Sequence, residues 1–253
     1  MLAIRVVKMG GNELDRPGWL AACARALKRL EPVVVVHGGG AAISAWCARL
    51  ALPIEKRDGV RVTSPEIAEV AEMVLAGPVN RQVVGALRAA GLDALGLAGV
   101  DGGLFAARRA AGELGHVGEI TAVRAALLES LLLAGLSPVV APLAPASTPG
   151  VPFNVNADHA AAAVAAALQA AELLFVSDVP GVAAGGATLS ELAAAEIDGL
   201  IASGVARDGM AVKLRAAAAA LAGGAATVRI GDLTLFDSPT AGTRIQAVVT
   251  QPV

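Results

Sequence analysis

The chain has no tyrosine, and aromatic residues make up only 2% of its 253 positions. With so few stacking platforms and a formal net charge of −2, it offers neither the basic field nor the ring surfaces that hold nucleic acid. It has two cysteines, Cys23 and Cys47, at a spacing that makes no metal motif. Both fall in helical patterns and read as reduced packing thiols. The three histidines, His37, His116 and His159, stand far apart without neighbouring ligand types, so no protein-bound metal site is expected. The most apolar stretches are alanine-rich and broken by polar residues, and none is a leucine-rich span of about twenty residues, which argues against a membrane protein. The opening "MLAIRVVKMGG" starts on a strand pattern and not a signal peptide, so a cytoplasmic protein is expected.

What the chain does have is aliphatic bulk. Hydrophobic residues reach 55%, mostly alanine, valine and leucine, and charged residues only 17%. Small aliphatics suit helices packed closely on a sheet. Apolar runs at Ala3–Lys8, Val33–His37, Ser137–Ala141, 172–177 and 226–230 read as buried strands. Helical spacing fills 16–30, Ala41–Leu50, 157–168 and 210–222, and also Val123–Ala134 and a region near 188–203. A longer pattern over 62–91, opened by Ser64 as N-cap and Pro65 at the first helical position, predicts one long helix or a kinked pair. Leu95–Ile120 is glycine-rich and predicts short β pieces, and Pro142–Pro152 predicts a loop. Alternating β and α with fully apolar strands points to an α/β fold: a three-layer αβα sandwich around a mostly parallel sheet. The proline-rich stretch suggests two lobes, 1–150 and 151–253.

Polar and glycine-rich sequences cluster where strands end, which is where open parallel sheets bind ligands. "VVKMGG" places Lys8 just before Gly10 and Gly11, and "VVVVHGGG" runs a strand into Gly38, Gly39 and Gly40 at a helix start. Bare backbone N–H groups at a helix N-terminus suit an anionic oxygen, although the same run also makes a tight turn without a ligand. The spacing is neither that of the phosphate loop GxxxxGK[ST] nor that of the dinucleotide fingerprint GxGxxG. "FVSDVPGV" places Asp178 and Gly181 after a third strand. Taken singly, Lys213, Asp158, Asn154, Asn156 and Arg61 read equally as a solvated helix residue, a helix-start charge, two turn residues and a surface arginine.

Together these motifs resemble one family. "VVKMGG", "VVVVHGGG", "DGVRVT", "GHVGEI", "FNVNADHAA", "VSDVPGV", "DGMAVK" and "GTRI" occur in the order found in acetylglutamate kinases of the amino-acid kinase superfamily, from Val6 to Ile245. The resemblance implies transfer of the γ-phosphoryl group of ATP to the side-chain carboxylate of N-acetyl-L-glutamate, in arginine biosynthesis. It implies that Lys8 and Lys213 contact the phosphoryl group in transit and that Asp158 orients both. Gly10, Gly11, Gly38 and Gly39 would donate N–H groups to it. Arg61 would bind the α-carboxylate of the substrate, and Asn154 and Asn156 its amide and carboxylate region. Asp178, Gly181 and Met210 would line the nucleotide pocket, and Mg²⁺ would arrive bound to ATP. The N-terminal lobe would hold the amino acid and the dimer contact, and the C-terminal lobe ATP. Two departures stand out: Ala41-Ala42-Ile43, where relatives often have a proline and an acidic residue, and the short "VAAGGATLSEL" after Gly181. The lead-in before the first strand lacks the helix of arginine-inhibited members, so a homodimer insensitive to arginine is expected. A kinase for carrier-protein-linked aminoadipate or glutamate, and a catalytically silent binding protein on the same fold, are the alternatives.

Overall fold

The computed structural model describes residues 3–57, 59–146 and 150–247. Strands form where β-branched residues run uninterrupted: β1 (Arg5–Met9) is buried from its second residue, and β2 (Val33–His37) at every position. Between them lies α1 (Trp19–Leu27), and after β2 the chain enters α2 (Gly40–Arg49) directly. A short antiparallel pair follows, β3 (Lys56–Arg57) and β4 (Val60–Arg61).

The long helical pattern resolves into a kinked pair. Its first half is α3 (Pro65–Val74), capped by Ser64 Oγ, which accepts from Ile67 N. Its second half is α4 (Asn80–Ala89). The break at Leu75–Val79 has a cause in sequence: Gly77 takes non-helical angles and Pro78 has no N–H to donate. The glycine-rich stretch after it yields β5 (Ala94–Ala98), β6 (Phe105–Arg109) and β7 (Val117–Val123), followed by α5 (Ala125–Leu133) and β8 (Ser137–Ala141).

The segment expected as a loop after Ala141 contains β9 (Leu143–Ala144), antiparallel to β10 (Phe153–Val155). Leu143 and Phe153 are both almost fully buried there, a gain that outweighs the turn-forming prolines nearby. Residues 147–149 of that expected loop lie outside the described residues. Next come α6 (Ala157–Ala167), β11 (Glu172–Val176), the hairpin β12 (Ala183–Ala184) and β13 (Ala187–Thr188), and β14 (Glu191–Ala193). The helix expected near 188–203 is therefore confined to α7 (Ile197–Ala202) and a 3₁₀ turn before it, because Leu192 is buried by pairing across to Ile245. The chain closes with α8 (Asp208–Ala222), β15 (Val228–Gly231) and β16 (Thr243–Gln246).

The main sheet runs β14-β16-β15-β11-β1-β2-β8-β5. Its strands are parallel except that β16 runs against β15 and carries β14 with it. The first four helices pack on one face, through residues such as Leu27, Ile43, Val74 and Leu87. α5, α6 and α8 cover the other, through Leu128, Val164 and Leu214. The three-layer αβα sandwich expected from the apolar strands is thus the architecture. β1 lies at its centre, bonded to β2 on one side and β11 on the other. Chain order runs outward from β1 in opposite directions, so the C-terminal ends of these three strands flank a crevice. A second sheet, β6-β7-β10-β9, stands beside it.

Leu174 in β11 is fully buried, between β1 and β15. Leu174→Ala is expected to lower unfolding stability by about 3 kcal/mol, read as a lower midpoint in urea at unchanged slope.

Candidate active site

Three apolar strands end at one place and hand over to polar chain. β1 delivers Lys8 and then the Gly10–Gly11 turn, β2 delivers Gly38, and β11 delivers Ser177 and Asp178. All of these line a cleft of about 500 Å³. Three helix starts open onto it, represented by Gly40, Ala157 and Gly209. Among the described residues α2 and α8 have no side-chain cap and Gly40 N and Gly209 N have no acceptor, whereas Met210 N donates to Arg207 O; the helix dipoles favour an anion at Gly40 N and Gly209 N.

The charge arrangement is specific. Asp158, in the first turn of α6, lies between Lys8 of β1 and Lys213 of α8. Lys8 Nζ is 2.8 Å from Asp158 Oδ1, and Lys213 Nζ is 3.2 Å from the same oxygen and 3.4 Å from Oδ2. Each side chain is at most 10% exposed. Burial alone would raise the Asp158 carboxyl, but Lys8 and Lys213 outweigh it and hold it at about 2. Burial pushes the Lys213 ammonium down, helped by Lys8 and opposed by Asp158, to about 8. The Lys213 ammonium also stands 5.2 Å above the Phe175 ring.

At the other end of the cleft, Arg61 on β4 is buried and tied to the first turn of α2. Its Nη2 donates to Gly40 O at 2.9 Å and Ser44 Oγ at 2.7 Å. Nη1 is buried without a partner among the described residues, and burial lowers the pKa of the group. An arginine in this state offers one unsatisfied arm to an oxyanion. Asn154 lies nearby with its Nδ2 directed at Thr63 Oγ1, 3.4 Å away. Asn156 caps α6, its Oδ1 accepting from Asp158 N and His159 N, which leaves its amide nitrogen for the cleft.

The sequence-predicted residues Lys8, Gly10, Gly11, Gly38, Arg61, Asn154, Asn156, Asp158, Asp178, Met210 and Lys213 therefore converge on one cleft. Asp178 is half-exposed and lies 3.7 Å from Arg16. Two others stand behind the lining. Gly39 is buried, and a side chain there would meet Leu75 at 2.5 Å. Gly181 is packed so that a Cβ would come within 2.6 Å of Thr188 and Thr243. Between the two turns the backbones nearly touch: a Cβ on Gly11 would lie 2.5 Å from Gly39 N. That contact, and not a φ requirement, is what excludes a side chain at Gly11.

The sequence reading missed Glu13 and Lys56, which also line the cleft. Glu13 is 4% exposed and lies over Gly10, where a Cβ would come within 1.8 Å of its Oε2. Its charge supports the protonated form of Lys213. The signal available in sequence was a carboxylate three residues past Gly10 in "GGNEL". Lys56 carries no such signal. The cleft holds four cations against three carboxylates, a balance suited to a ligand that brings negative charge.

A model of the amino acid kinase family matches residues 3–232. The chain belongs to the amino acid kinase family. It is 48% identical over 237 residues to acetylglutamate kinase from Chloroflexus aurantiacus, covering 92% of this chain and 93% of that one. It is 43% identical over 240 residues to the acetylglutamate kinase of Geobacillus kaustophilus, covering 93% of each. Among solved structures, a protein from Streptococcus mutans UA159 superposes with a TM-score of 0.86 at 30% identity, over 97% of this chain and 99% of that one. Carbamate kinase from Giardia lamblia bound to AMP-PNP superposes with a TM-score of 0.74 at 17% identity, over 97% and 99% of the two chains, a likeness of fold.

Asp158→Asn removes the charge that separates two buried ammonium groups. The variant is expected to lose about 3–5 kcal/mol of unfolding stability at pH 7. The deficit should shrink as pH rises through about 8, because Lys213 then sheds its proton in the wild-type protein as well and no longer needs the Asp158 charge. Urea melts at several pH values measure both.

Proposed function

We propose that this amino acid kinase is an acetylglutamate kinase: it transfers the γ-phosphoryl group of ATP to the side-chain carboxylate of N-acetyl-L-glutamate, forming an acyl phosphate. The observation that carries the reading is the buried Lys8–Asp158–Lys213 cluster beside two glycine turns, in a chain so close to acetylglutamate kinases.

Two polyanions must meet in line, and their repulsion is the main obstacle. Lys8, at the junction of the two glycine turns, meets the phosphoryl oxygens in transit. Lys213, next to Gly209 and Met210 at the start of α8, meets the phosphates on the leaving side. Asp158 keeps both ammonium groups in place before substrate arrives, so little reorganisation is left for the reaction itself. Of the four glycines expected to donate, Gly10 N and Gly38 N are already bonded to Val176 O and Met9 O and only shape the turns, so the N–H groups of Gly11 and Gly39, without acceptors among the described residues, serve the transfer site. Arg61, with its unpaired Nη1, takes the α-carboxylate, and Asn154 and Asn156 take the amide region. The acceptor is already ionised, so no general base is required. The reading divides the chain into an amino-acid lobe over 1–150 and a nucleotide lobe over 151–253, the latter including Asp178 and Gly181, with Asn154 and Asn156 reaching the amino acid from the start of the second.

Among the described residues no group of three or more His, Cys, Asp or Glu side chains gathers for a metal, and the Asp158 oxygens are committed to lysines. That donor set fits Mg²⁺ carried in on the nucleotide and held mainly by phosphates and water. When bound, the ion supplies charge neutralisation at the β- and γ-phosphates. No helix among the described residues is long and apolar enough to cross a membrane, in keeping with a cytoplasmic enzyme. Homodimeric assembly belongs to the same reading.

Purified protein with ATP and Mg²⁺ should form a hydroxylamine-trappable acyl phosphate with N-acetyl-L-glutamate. It should form none with glutamate, aspartate, carbamate, UMP or carrier-linked aminoadipate. Turnover on the carrier-linked substrate alone would replace the acceptor, and no turnover on any would leave a binding protein. Lys8→Met should lower kcat by about 100-fold or more with a small change in KM. Because Lys213 is depressed to about 8 in the free protein, kcat/KM for ATP should fall as pH rises through about 8. With phosphates bound its charge is favoured, so the matching fall in kcat should lie at higher pH.

A further inference from the structure

The Gly38–Gly39 peptide sits where the transfer chemistry needs an N–H, yet glycine on both sides lets a peptide plane flip at low cost. A flip would exchange N–H for C=O and put a carbonyl dipole against an incoming anion. The structure contains a device that opposes it. His37, fully buried at the end of β2, has its Nδ1 2.9 Å from Gly38 O. Its Nε2 is 3.1 Å from Asn80 Nδ2, and Asn80 is itself fully buried at the start of α4.

The tautomer follows from the partners of Asn80. Its amide nitrogen donates to Val139 O at 2.9 Å, and its Oδ1 accepts from the Arg81 guanidinium. A carbonyl only accepts and a guanidinium only donates, so the Asn80 amide has one orientation, and Nδ2 faces His37. His37 Nε2 is then an acceptor, and the single proton of the neutral ring is on Nδ1, where it bonds to Gly38 O. The ring is neutral because burial pushes its pKa down to about 4, with Gly38 O opposing and Arg81 adding to the effect. In a planar trans peptide, C=O and N–H point in opposite directions. Fixing Gly38 O on the His37 side leaves Gly39 N–H on the side of the Gly10–Gly11 turn, and a Cβ on Gly11 would lie 2.5 Å from that nitrogen. Among the described residues neither Gly11 N nor Gly39 N has a hydrogen-bond acceptor.

We propose that His37, locked in one tautomer by Asn80, is a positioning residue that holds the Gly38–Gly39 peptide with its N–H toward the transfer site. This deepens the phosphoryl-transfer reading and its kinetic consequence rests on that reading, whereas the tautomer does not.

Two variants separate the brace from simple packing. Asparagine places its amide nitrogen where His37 Nδ1 stands but cannot reach Asn80, whereas glutamine can accept from Asn80 but does not place a donor on Gly38 O. His37→Asn should therefore melt lower yet keep kcat within about 10-fold. His37→Gln should melt higher than His37→Asn yet lose about 100-fold in kcat, with KM for both substrates nearly unchanged. Equal kcat losses in the two, or losses that follow the melting temperatures, would overturn the proposal. Nitrogen-15 spectra of the wild-type protein give an answer independent of turnover. Protonated Nδ1 with bare Nε2 is expected, and the opposite tautomer or exchange between the two would overturn it. If no acyl phosphate forms in wild type, the functional reading fails and the spectra alone decide the tautomer.

Discussion

One buried carboxylate holds the site together. Asp158 lies between two ammonium groups that come from opposite ends of the chain, Lys8 on β1 and Lys213 on α8. Two buried like charges would push the elements that carry them apart or lose a proton, and Asp158 prevents both. The cost is visible at Lys213, whose affinity for its proton is reduced by burial and by Lys8. The cluster is therefore a weak source of stability and a strong constraint on position, as buried ion pairs commonly are. It also leaves the cleft one cation richer than its carboxylates, an imbalance that an anionic ligand would complete.

The fold exists to bring those groups together. β1 is central in the sheet, so Lys8 emerges between β2 and β11. α6 and α8 pack side by side through alanines, and their starts carry Asp158 and lead into Lys213. The many alanines thus have a mechanical consequence. Small side chains let these helices approach closely enough for a lysine on one to reach a carboxylate on the other. On the opposite face, Leu75 and Val79 at the kink stand behind Gly39 and close the space a side chain there would need.

Much of this was legible in the sequence because it depends on local pattern. The valine run of β2, the Ser64–Pro65 helix start and the break at Gly77–Pro78 each follow from backbone chemistry within a few residues. The glycine turns after β1 and β2 were legible for the same reason. Other features depend on contacts far away in the chain. β9 and β14 are too short to carry a period, and each is held by a buried pairing with a distant strand, Ala144 with Phe153 and Leu192 with Ile245. Glu13 and Lys56 reach the cleft only through the folding of their segments, and Asn80 matters because Val139 and Arg81 fix its amide. Gly39 and Gly181 show the reverse limit: a motif marks the position, but whether it faces the cleft or packs behind it depends on Leu75 and Thr243, which are distant in the chain.

The central claim is spatial: the moving phosphoryl group passes between the two lysines and over the two glycine turns. A crystal structure of the protein with ADP, aluminium fluoride, Mg²⁺ and N-acetyl-L-glutamate tests it most directly. The account predicts a planar fluoride group in contact with Lys8 and Lys213 Nζ and with the N–H groups of Gly11 and Gly39, in line between ADP and the side-chain carboxylate. A fluoride group bound away from Lys8 and Lys213, or the substrate carboxylate outside this cleft, would contradict it.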